Sequence, residues 1–105
     1  MPERNISSDH LTAYAVYLST EERSRGTIEK YLRDLRAFAC WLDGRPVTRE
    51  LAAGWKEYLR TRDYAPATIN SMLASLNSLF RFLGWEECRI KFLKVQRRLF
   101  RDAGR

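Results

Sequence analysis

Ser71, Ala74, Ser75 and Ser78, closed by Arg81, recur at helical spacing within ATINSMLASLNSLFRFLGW, residues 67–85, with Asn70 and Asn77 on the shoulder of that face. Ser and Asn are mediocre helix formers, so propensity does not select them there. In a chain with 30% charged residues a solvated helix face would normally carry Lys and Glu instead. Small side chains permit close approach to a surface, and hydroxyls and amides exchange hydrogen bonds with phosphates or base edges. A second set lies upstream, where Lys30, Arg33 and Ala37 share the outward side of a helix that opens near Thr27, with Arg25 beside it. A helix N-terminus presents unpaired N–H groups and partial positive charge, both attractive to phosphate. These two sets suit non-covalent recognition of an anionic polymer. The small-residue face alone would also suit packing against a protein helix.

Charge points the same way. The 105 residues carry a net charge of +6, and residues 86–105 hold seven Lys/Arg, among them Lys94, Arg97 and Arg98, against three acids. A basic end favours an anionic partner, nucleic acid being the commonest. A solubilising tail is the plainer alternative.

Catalysis has no visible constellation. The single His10 has no second His or paired Cys at catalytic spacing, and Glu21 and Glu22 are adjacent, so they diverge on a helix. No glycine-rich phosphate loop occurs. One His with two distant cysteines, Cys40 and Cys88, supplies no metal cluster, and no cofactor is expected. Two cysteines without a disulfide pattern suit a reduced, cytosolic protein, with Cys40 packed or half-buried in a helix. No apolar run approaches the roughly 20 residues of a membrane span, and MPERNISSDH lacks the apolar core of a signal peptide.

Four amphipathic stretches must position these residues. The first starts near Ser8 or Asp9, runs through Leu11, Tyr14, Ala15 and Leu18, and ends in TEERSRG, where Gly26 can take a positive φ. The second is capped by Thr27, buries Ile28, Tyr31, Leu32, Leu35, Phe38, Ala39 and Leu42, and closes at Asp43-Gly44. The third is capped by Thr48 and faces Leu51, Trp55, Tyr58 and Leu59 inward, with Gly54 mid-helix suggesting close packing. The fourth opens at Pro66, buries Ile69, Met72, Leu73, Leu76, Phe80 and Leu83, and ends at Gly84. No alternation long enough for a core strand is present. Short connections predict an all-α, compact four-helix bundle of two crossed helical hairpins. Beyond Trp85 the pattern reads as an extended, partly docked basic linker. The expected division is a flexible N-terminus (1–8), a helical unit (9–85) and a linker (86–105).

The ordered combination resembles a known family. SRGTIEKYLRDLRAFACWL carries Thr27, Tyr31, Asp34-Leu35 and Phe38. GRPVTRELAAGWKEYLRTRDYAPATINSMLASLNSLFRFLGW carries Thr68, Leu73, Leu76 and Phe80-Arg81-Phe82-Leu83. Together they are similar to the N-terminal core-binding domain of phage-integrase-type tyrosine recombinases. The resemblance implies a SAM-like bundle forming one jaw of a clamp around double-stranded DNA, with other helices touching neighbouring recombinase subunits. It implies a DNA face of Thr27, Lys30 and Arg33 with Thr68, Ser71, Ser75, Ser78 and Arg81. The family's strand-cleaving tyrosine, arginines and histidine lie in a C-terminal domain, toward which the linker would lead. No His-x-x-Arg occurs here, because Ala13 stands three places after His10, so no catalytic residue is carried over. An isolated bundle of this kind is expected to be monomeric. Glu29 and Asp34 on the second helix would temper its positive potential.

Overall fold

The structure is a computed structural model, and it describes residues 4–94. Four helices follow in order, α1 (Ser8–Thr20), α2 (Arg25–Leu42), α3 (Arg49–Thr61) and α4 (Pro66–Leu83), and a single 3₁₀ turn spans Glu86–Cys88. No strand occurs among the described residues. The fold is therefore the all-helical bundle expected. The central contact is α2 on α4, with α1 against α2 and α3 against α4.

Each helix begins where local chemistry can satisfy its free N–H groups. Ser7, rather than Ser8 or Asp9, caps α1. Its hydroxyl accepts from the His10 N–H at 3.2 Å, while His10 Nδ1 accepts from the Ser7 N–H at 3.3 Å. His10 thus does the work usually given to Glu in a capping box. Ser24 caps α2 by accepting from the Thr27 N–H at 3.1 Å, which places Gly26 and Thr27 inside the helix instead of in a turn before it. Thr48 caps α3 as expected. Pro66 opens α4 without a side-chain cap, and Gly84, at φ 78°, ends it in the left-handed region.

The core joins Tyr14 and Leu18 of α1 with Leu35, Phe38 and Leu42 of α2, and Ala52, Trp55 and Leu59 of α3. Ile69, Leu73, Leu76, Leu79 and Phe80 of α4 join them, and Val47, Cys88 and Ile90 from outside the four helices complete it. Leu79 was not among the residues expected inside. It is buried because α4 is covered by neighbours on several sides, so its apolar arc is wider than one stripe. Tyr58, expected inside, is 37% exposed. It stacks on Trp55 with ring centroids 5.6 Å apart and lies under the Arg62 guanidinium, so it shields the core instead of filling it. Cys40 is exposed, not half-buried, because it falls on the outward side of α2; Cys88 is buried. A methyl group at Gly54 would meet the Trp41 ring at 3.4 Å, an ordinary contact, so close packing does not require the glycine.

The ends of the described chain are docked. The Arg4 carbonyl accepts from the Val47 N–H at 2.8 Å, and its guanidinium pairs with Glu87 and lies over the Trp85 ring. Arg4 therefore ties the start of the described chain to the bundle.

Candidate nucleic acid interface

The α2–α4 junction brings several of the predicted residues into one polar seam. Lys30 Nζ stands 2.5 Å from Asp34 Oδ2, and it donates to the Ser71 hydroxyl at 2.6 Å and the Ser71 carbonyl at 3.0 Å. It also reaches the Ser75 hydroxyl at 3.2 Å, while that hydroxyl donates to Asp34 Oδ2 at 2.7 Å. The pair Lys30–Asp34 is one helical turn apart, and α4 supplies the hydroxyls between them. Two expectations change here. Ser75 is wholly buried, where it was placed on the outward face, because α2 lies across that side of α4. Asp34, read as an outward charge on α2, is 7% exposed and neutralised within the seam.

Ser78 is half-buried and shares a hydrogen bond of 2.6 Å with the Tyr14 hydroxyl, which ties α1 to α4. Burial pushes the Tyr14 phenol above its ordinary value, with the Ser78 hydrogen bond acting the other way. Asn70 does not present a free amide. Its side chain holds the backbone of Leu93 through two hydrogen bonds. Thr27 is half-buried and its hydroxyl accepts from Ser24.

What remains open is narrower than the sequence suggests. Thr68, Ser71 and Arg81 of α4 are exposed, with Ala74 half-buried between them, and Arg25 and Arg33 are exposed on α2. Lys94 is exposed on the exit segment; Arg97 and Arg98 lie outside the described residues. Two arginines not singled out from sequence join this surface. Arg23 and Arg81 line one groove of about 290 Å³ with Tyr17 and Phe82. Arg81 and Arg89 line another of about 340 Å³ with Ala74 and Phe92. Arg81 therefore borders both grooves, with Arg23 toward α1 and Arg89 toward the exit segment. Arg23 looked like part of a polar turn, and only tertiary packing brings that turn beside α4. Glu86 lines the second groove as well, so the arginine row is not purely positive.

Long cationic side chains on both sides of a strip of small residues can straddle an anionic backbone while the helix approaches it closely. Among the described residues, no group of three or more His, Cys, Asp or Glu is placed to hold a metal ion, and no helix is long and apolar enough to cross a membrane.

Comparison with known proteins gives three findings. The family model described as the phage integrase N-terminal SAM-like domain matches residues 11–87. A tyrosine recombinase of Synechococcus elongatus is 40% identical over 80 residues, covering 62% of this chain and 25% of the relative. Tyrosine recombinase XerA of Pyrococcus furiosus is 31% identical over 87 residues, covering 83% of this chain and 30% of the relative. The chain thus spans between a quarter and a third of the length of these relatives. No solved structure gives a significant match.

Proposed function

This chain belongs to the phage integrase N-terminal SAM-like domain family, and we propose that it is the duplex-DNA-holding module of a tyrosine recombinase, forming one jaw of a clamp on the recombination site. The observation that carries this reading is the α4 surface of exposed Thr68, Ser71 and Arg81 with half-buried Ala74, whose Arg81 end Arg23 and Arg89 flank across two grooves. A face meant for a protein helix would not need cations on both sides. Arg23, Arg25, Arg33, Arg81 and Arg89 contact phosphates, and Ser71 and Thr68 hydrogen-bond to the backbone or to base edges. Lys30 acts differently, because its charge is already satisfied by Asp34. It is a pin between α2 and α4 first and a phosphate ligand only at its exposed edge.

Strand cleavage is the work of a separate catalytic domain in the full-length recombinase, and no tyrosine of this bundle is the nucleophile. Neighbouring recombinase subunits dock on DNA beside it, in the cytoplasm. Residues 1–85 hold twelve Lys/Arg and ten Asp/Glu, so the bundle alone binds weakly, in the range of about 10⁻⁴–10⁻⁶ M. Tethering to a second jaw raises that through effective concentration.

An amide-resolved NMR titration with a random duplex at about 50 and 200 mM salt tests the reading. Salt-sensitive shifts at residues 23–33 and 68–81 and at Arg89 are expected. Shifts confined to residues 95–105, or none, would reject the interface and favour a protein partner for the small-residue face.

A further inference from the structure

Asn70 and Asn77 stand seven residues apart on α4, and each grips one residue of the exit segment by both of its backbone groups. Asn77 Nδ2 donates to the Ile90 carbonyl at 2.9 Å and Oδ1 accepts from the Ile90 N–H at 2.8 Å. Asn70 does the same to Leu93, at 2.9 and 2.7 Å. The two lengths match. Seven helical residues rise about 10.5 Å, and three extended residues span about 10 Å. An extended chain laid along α4 therefore meets both amides with a repeat of three. Lys56 adds a third hold by donating to the Lys91 carbonyl at 2.9 Å. Ile90 is buried under this arrangement, while Arg89, Lys91 and Lys94 are exposed.

We propose that Asn70 and Asn77 are positioning residues, a two-point clamp that fixes the path by which the chain leaves the bundle and holds Arg89, Lys91 and Lys94 as a basic rail along α4. An amide at these helix positions satisfies a donor and an acceptor at once, which an extended segment without a strand partner would otherwise leave to water. Fixing the backbone in advance lowers the ordering entropy of contacts made by the cations it carries. The clamp stands on the protein alone; the use of the rail rests on the DNA-holding reading above.

The test uses the full 105-residue chain with N70A/N77A, since Ala does not weaken the helix itself. Without DNA, amide exchange at Ile90 and Leu93 rises on the order of tenfold or more, and backbone order parameters across residues 89–93 fall. Exchange at Leu35 and Trp55 stays at its original rate. Unchanged order across 89–93, or an equal rise at Leu35 and Trp55, would overturn the clamp. With duplex DNA, the variant shows weaker binding and a salt dependence shallower by about one to three phosphate contacts. Equal affinity and equal slope would overturn the rail. A native chain that binds no duplex at either salt would reject the DNA reading and the rail together, with the exchange data still deciding the clamp.

Discussion

The Ser75 hydroxyl, wholly buried, donates to Asp34 and lies within reach of Lys30, so it completes a seam between α2 and α4. Replacement by Ala leaves a buried carboxylate oxygen with one donor fewer. S75A should cost about 1–2 kcal/mol and leave duplex affinity of the folded chain unchanged. Arg81 is the opposite case, exposed and shared by two grooves. R81A should keep stability within about 0.5 kcal/mol and weaken duplex binding severalfold, lowering the salt slope by about one. Urea melts paired with a duplex titration read both variants, and a reversed pattern would exchange their roles. Tyr14 supplies a pH effect. Burial raises its phenol pKa above that of the unfolded chain, so above pH of about 10 the unfolded state gives up its proton first. Stability is fully present below the unfolded value and falls as pH rises toward the folded one. Y14F should lose that component of the alkaline decline, as seen in melting midpoints between pH 9 and 11 of the two proteins, at about one-unit steps.

At the scale of the helix, caps and glycines divide into required and dispensable. Gly84 holds φ 78°, and G84A should destabilise by about 1–2 kcal/mol. Gly54 sits inside α3 with ordinary clearance to Trp41, so G54A should stabilise by about 0.5–1 kcal/mol through helix propensity. Thermal melts of the two variants, moving in opposite directions, check the pair. These elements also mark what the sequence could tell. Helix number, Thr48, Pro66, the Asp43-Gly44 stop and Gly84 are local signals, and they were readable. Thr27 is a good cap by residue type, but Ser24 lies one turn earlier and closes the ring first. Ser75, Asp34, Asn70 and Ser78 have the right residue types for a surface, and each finds a partner on another helix or on the exit segment. A helical wheel assigns one buried direction to α4, whereas α2, α3 and the exit segment pack against it and Tyr14 of α1 reaches Ser78, so its buried arc is wider than one stripe. The clamp was invisible for the same reason, since Asn77 and Ile90 meet only after the chain has turned at Gly84.

For the molecule as a whole, charge separates two ways of holding DNA. Residues 1–85 carry an excess of two positive charges and residues 86–105 an excess of four, so a polycationic end could dominate any affinity measured on the full chain. The structured surface makes a different demand. Its cations, Arg23, Arg81 and Arg89, are spaced by helices and by the docked exit segment, and all lie before Lys94. A chain ending at Lys94 loses Arg97, Arg98, Arg101 and Arg105 together with Asp102. It keeps every residue that is buried among the described residues 4–94. Its four helices, which lie within residues 8–83, should therefore still form. Its duplex affinity should fall, with a log–log salt slope shallower by about three to four, yet the residual binding should still shift the amides around Arg23, Ser71 and Arg81. If truncation abolishes those shifts, the end alone holds the DNA and the bundle's small-residue face is not the interface. If they persist while R81A diminishes them, the helices do the holding and the basic end adds only attraction, a division of labour that distance and ionic strength would be expected to reveal.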